Sequence, residues 1–146
     1  MFKYEITPVP EIKIDKKIVD KIFKTVSKNI EKTQKGTLNI VFLDDESIKN
    51  LNKNYRNIDK TTDVLSFHYF DDFSLLKNTD TAGEIVMSIE KIITQGKDYG
   101  LGTEKEFYKL LIHSILHIIG YDHELDDEYK IMQKLEDTIW KELFEN

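Results

Sequence analysis

Three of the chain's four histidines fall within eleven residues, in the run His113-Ser114-Ile115-Leu116-His117-Ile118-Ile119-Gly120-Tyr121-Asp122-His123. The segment opening at Thr103 reads as a helix, begun by a capping box of Thr103 and Glu106. His113 and His117 stand at i and i+4 on it, so their imidazoles project from one face about one turn apart. Gly120 suits the left-handed conformation that ends a helix, after which the chain can fold back and deliver His123. A histidine alone is usually an ordinary core or surface residue. Three with a glycine at the turn read as the ligands of one transition-metal ion, with zinc the expected metal at one per chain. Three neutral nitrogens leave a fourth position open, which is the layout of a catalytic rather than a structural zinc site. Ile115, Leu116, Ile118 and Ile119 read as core packing. Asp122 beside the third histidine is either an outer carboxylate that orients an imidazole or a solvated turn residue.

The rest of the chain supplies a scaffold for such a helix. Phe2, Tyr4 and Ile6 alternate with polar residues as in a half-buried strand, which Pro8 and Pro10 end. Asp15 caps a helix carrying Ile18, Val19, Ile22, Phe23, Val26 and Ile30 on one face, closed by Gly36. Leu38 to Leu43 reads as a buried strand. Asp44 and Asp45 suit a helix start, with Ile48, Leu51 and Tyr55 following at helical spacing. Asn57 to Asp63 is turn-like, and Val64 to Phe67 reads as a strand. The acidic stretch from Asp71 to Thr81 is expected to be a mobile loop. Glu84 to Ile89 reads as a strand, and Ser88 or Glu90 begins a helix running to about Tyr99. The last helix starts near Asp126, with Tyr129, Met132, Leu135, Ile139 and Leu143 facing inward. Four strands and about five helices imply one α/β (α+β) domain over residues 1–146, with a mixed sheet and a zincin-like histidine helix. Strand order does not follow from this pattern.

Composition narrows the chemistry. There is no cysteine, so disulfides and thiolate metal sites are excluded. The formal charge of −6 excludes a generic nucleic-acid binder, which gains its affinity by neutralising phosphates. Contact with nucleic acid would have to be local. Of 21 basic residues 20 are lysines, and Arg56 is the single arginine. No run approaches the roughly 18 apolar residues that mark a membrane span. The N-terminus lacks the pattern of a secretory signal, so a cytoplasmic location and no membrane partner are expected.

The histidine run resembles the long zinc signature of metzincin proteases, with one departure. Where those proteases carry a general-base glutamate after the first histidine, this chain has Ser114, which cannot serve as that base near neutral pH. The metal pattern is kept and the peptidase's proton shuttle is missing.

Beside His113 to Glu124, the chain carries Leu51-Asn52 with Tyr55-Arg56, Thr62 to Phe67, Gly83-Glu84-Ile85, and Met132 with Glu136. On these motifs, from about Val41 onward, it resembles the YbeY family of bacterial metal-dependent endoribonucleases. Three positions depart from the family pattern: Ser114 replaces a glycine, His68 a proline, and Glu84 an aspartate. None removes a metal ligand, but His68 raises the question of a fourth ligand from the protein. The resemblance implies metal-assisted cleavage of single-stranded RNA in ribosomal RNA maturation, with the small ribosomal subunit and its proteins as partners. It places His113, His117 and His123 on the metal, His113 and Arg56 in catalysis, and Arg56 on the substrate. A guanidinium can hold a phosphate through two parallel hydrogen bonds, which lysine cannot reproduce. Whether water or the RNA 2′-hydroxyl attacks stays open, and no residue stands out as the general acid. A zinc metallopeptidase and a non-catalytic ribosome-associated factor with a structural zinc are the alternative readings.

Overall fold

The computed structural model describes residues 1–8, 10–122 and 124–145. Along them run β1 (Lys3–Thr7), α1 (Lys16–Asn29), β2 (Thr37–Leu43), α2 (Asp45–Arg56), β3 (Val64–His68), β4 (Thr81–Ser88), α3 (Ile89–Asp98), α4 (Thr103–Ile119) and α5 (Asp126–Phe144). The strands form one mixed sheet in the order β1-β2-β4-β3. β1, β2 and β4 are parallel, while β3 runs antiparallel to β4 and forms one edge.

Side chains alternate between the two faces of each strand, and the two faces have unequal cores. Leu38, Ile40 and Phe42 of β2, with Ile85 and Met87 of β4, join the main core against α1, α4 and α5. Ile48 of α2 meets Leu65 and Val86 in a small core on the other face, flanked by Val41, Leu43, Leu51 and Phe67. α4 is the central helix: eleven of its 17 residues are buried. α3 packs against its N-terminus at Gly96, where an added Cβ would lie 2.7 Å from the carbonyl of Gly102. A side chain there would drive the two helices apart.

Several expectations need correction. α1 ends at Asn29 with Ile30 as its C-cap, and Gly36 instead occupies a turn at φ +99° leading into β2. The capping box does not form, because Gly102 is the N-cap of α4 and Glu106 is turned inward, 1% exposed. Asp15, Asp44 and Ser88 do cap their helices through side-chain acceptors. The segment from Asp71 to Thr81 is tied down rather than loose. Phe73 is buried edge-on against Phe2 at 5.2 Å, and the Asn78 carbonyl accepts from the Thr37 hydroxyl at 2.7 Å. Tyr129 is half exposed, because the first turn of α5 runs beyond the core, which the helix meets from Met132 onward.

Candidate active site

A cleft of about 570 Å³ crosses the free edge of β3. Its lining includes Tyr55 and Arg56 from the end of α2, Thr62 to Phe67, His113 and His117 from α4, then Asp122 and Glu124. The fold therefore brings together three of the four residues expected at the site. The fourth, His123, lies outside the described residues.

One wall is the histidine face of α4. The two rings sit with centroids 5.1 Å apart, near the T-shaped arrangement at 72°. On the opposite face Leu111 and Ile115 are fully buried, which holds the helix against the core. Ser114 is also fully buried, and among the described residues its Oγ has no hydrogen-bond partner. A side chain at 114 thus faces protein interior rather than the cleft, so the position equivalent to the protease's glutamate cannot reach a substrate here. α4 ends at Gly120 with φ +122°, a conformation open to glycine, and its N–H donates back to the carbonyls of Leu116 and His117.

The donor chemistry of this wall suits a metal. Glu136, from α5, accepts from Nδ1 of His113 at 2.5 Å. A carboxylate that is ionised can only accept, which puts a proton on Nδ1, and a neutral ring in that tautomer keeps its lone pair on Nε2. A carboxylate behind a histidine in this way fixes the tautomer and raises the basicity of the free nitrogen, as behind metal-bound imidazoles. Asp122, the carboxylate picked out from sequence, also lines the cleft. Among the described residues no three metal-ligating side chains converge on one point. His113 and His117 are two donors, and the third position of the motif is His123.

The other wall is the C-terminal end of α2. Arg56 is its last residue, exposed and in no salt bridge among the described residues. Asn57 follows in the left-handed region at φ 57°, ψ 29° and turns the chain away. Asn52, buried on the inner side of α2, donates to the Lys60 carbonyl at 2.9 Å and so ties the following loop to the helix. Lys60 itself is exposed and does not line the cleft. His68 lies at the end of β3, where its Nε2 is 3.6 Å from Asp71 Oδ1. It lines a smaller cavity of about 370 Å³ with Ser66, His117 and Asp122, and His113 is not part of that lining.

Behind the histidine wall lies a polar cluster that the sequence did not announce. Oriented as its neighbours require, the Gln95 amide nitrogen donates to Asp63 Oδ2 and Glu106 Oε2, both at 3.2 Å. Glu106 is pushed above the usual carboxylate range by burial. Lys109, 3.8 Å away, opposes the shift, and the charge of Asp63 adds to it.

Comparison with known proteins settles the relationship. A family model described as Endoribonuclease YbeY matches residues 5–144. The chain belongs to the YbeY family. Endoribonuclease YbeY of Thermoanaerobacter sp. (strain X514) is 38% identical over 136 residues, covering 86% of each chain. Endoribonuclease YbeY of Clostridium botulinum (strain Loch Maree) is 35% identical over 151 residues, covering 90% of this chain and 91% of its own. The solution structure of TM1509 from Thermotoga maritima superimposes with a TM-score of 0.59 at 23% identity, over 97% of this chain and 91% of that one. That likeness supports the α/β fold. Glu136, noted in the sequence only as part of the family pattern, gains a role that the sequence did not assign, on His113. Its signal was a carboxylate one turn after Met132, on the face of α5 that packs toward α4.

Proposed function

We propose that this protein is a metal-dependent endoribonuclease cutting single-stranded RNA, acting in the cytoplasm on ribosomal RNA with the small ribosomal subunit and its proteins as partners. The observation that carries the reading is the meeting of Arg56 with His113 and His117 in one cleft, in a chain whose relatives are named endoribonucleases. His113, His117 and His123 would hold one zinc ion, which when bound supplies a Lewis acid beside the scissile phosphate. Arg56 holds that phosphate, or its neighbour, by paired charge-assisted hydrogen bonds and balances the charge that develops on it. Glu136 holds His113 in the tautomer that presents Nε2. The acidic surface gives RNA little general attraction, so recruitment falls to a partner and recognition to the cleft itself.

The metallopeptidase reading is weakened by the burial of Ser114, which removes the place for its base. The experiment is elemental analysis with cleavage assays on single-stranded RNA and casein, with and without chelator. About one zinc per chain is expected, with chelator-sensitive RNA cleavage and intact casein. His117→Ala should lose most of the metal, and Glu136→Ala should bind it about ten- to a hundredfold more weakly. Chelator-sensitive proteolysis with untouched RNA would replace this reading by the peptidase. Zinc without cleavage of either substrate would favour a structural metal in a binding factor.

A further inference from the structure

Ile48, Leu51 and Tyr55 share one face of α2, and their exposure rises along it. Ile48 is fully buried and Leu51 half-buried, but Tyr55 is 70% exposed. Helical spacing places the tyrosine with the core-facing residues. The stripe, however, outruns the small core and carries its last member to the lip of the cleft. There Tyr55 meets Phe67 edge-on, with centroids 5.7 Å apart and planes at 67°, so most of its ring is left to solvent. Tyr69, two positions beyond Phe67 and 51% exposed, continues the aromatic surface. So much exposure returns little burial energy to the fold, and packing does not account for the residue's place.

Its neighbour does. Tyr55 adjoins the single arginine, and both line the cleft that holds His113 and His117. A nucleotide offers a charged phosphate and a flat apolar base. The end of α2 presents a guanidinium and an aromatic ring side by side. We infer that Tyr55 is a base-stacking residue, receiving an unpaired base of the nucleic-acid strand whose phosphate Arg56 holds. This deepens the reading of the cleft as an RNA site and rests on it. Duplex bases have both faces covered by their neighbours, whereas an unpaired base has a face to give. The ring therefore selects single strands through the base, independently of charge. Phe67 limits how far the ring can swing, because its own side chain is held in the small core.

The test uses single-stranded RNA oligonucleotides carrying 2-aminopurine, whose fluorescence falls when it stacks, together with steady-state cleavage. The full chain should quench the probe, and Tyr55→Ala should not. Tyr55→Ala should raise KM about five- to over a hundredfold, with a smaller change in kcat. Tyr55→Phe, which keeps the ring, should restore quenching and bring KM back to within about twofold of the parent. The melting temperature of the alanine variant should stay within about 2 °C, as for other exposed positions. Unchanged KM and unchanged quenching in Tyr55→Ala would overturn the inference and leave the nuclease reading standing. Failure of the unsubstituted protein to bind or cut any RNA would overturn both.

Discussion

The two walls of the cleft are built to different standards. The histidine wall is a 17-residue helix with eleven buried residues, clamped between the sheet and α5. The arginine wall is the last turn of a 12-residue helix that buries two, Ile48 and Asn52. Metal ligands must converge within tenths of an ångström, and a close-packed interior resists displacement on that scale. A strand of RNA varies in base and backbone, and a side chain at a helix end over a small core can follow it. On the proposed function, the difference would place rigidity where coordination needs it and freedom where substrate binding tolerates it.

Breaking the rigid wall should have the largest effect. Ser114→Glu would place a carboxylate in the packed interior of α4, with no partner for its charge and too little room. A cost above about 4 kcal/mol is expected, lowering the melting temperature by about 10 °C or more. Ser114→Ala removes an unpartnered hydroxyl and should leave stability within about 1 kcal/mol of the parent. Thermal melts of the two variants decide it. A well-folded Ser114→Glu protein would mean that this side chain can reach the cleft after all, and would reopen the peptidase comparison.

The arginine wall should respond in rate and hardly at all in stability. Arg56→Lys keeps the charge and loses the two-pronged contact, worth roughly 1.5–3 kcal/mol, so RNA cleavage should fall about ten- to over a hundredfold. Zinc content and melting temperature should hold, because Arg56 is exposed and in no salt bridge among the described residues. Near-normal cleavage by the lysine variant would show that charge alone suffices at this wall.

The smallest effect is electrostatic and belongs again to the buried side. Burial holds the pKa of Glu106 above its ordinary 4.5, so the fold keeps it protonated to higher pH than the unfolded chain does. Its contribution to stability is therefore fully present below about pH 4.5 and is lost as pH rises through the raised value. Glu106→Gln keeps the shape without the charge. It should raise the melting temperature at pH 8, by less than Ser114→Glu lowers it. The gain should shrink toward pH 4.5. A gain that is equal at both pH values would show that Glu106 is not carrying this penalty.

Much of the histidine wall was legible because its information is local. The spacing of His113 and His117, the apolar residues between them and the glycine after them are all readable within one helix. The strands were legible for the same reason, since alternation and short apolar runs need no knowledge of partners. Arg56 could be singled out by being the chain's one arginine within a family motif, although nothing in α2 itself indicates that its end overlooks α4. Where local reading failed, a neighbour decided. Thr103 and Glu106 have the right spacing for a capping box, but Gln95 and Lys109 draw Glu106 inward. The acidic stretch after Asp71 looks loose until Phe73 is found against Phe2.

By itself, then, the sequence determined the helix that presents two histidines, the alternating strands, and membership of a family whose motifs stand in order along the chain. Each is a property of residues within a few positions of one another, governed by helical and strand periodicity. The tertiary structure alone decided the order β1-β2-β4-β3, which leaves β3 as an open edge beneath the cleft. It decided that Glu136, 23 residues away on another helix, takes the Nδ1 side of His113. It also decided that Ser114 is sealed while Tyr55 is bare. A side chain's environment is set by whichever element packs against it, and that depends on how distant segments share one core.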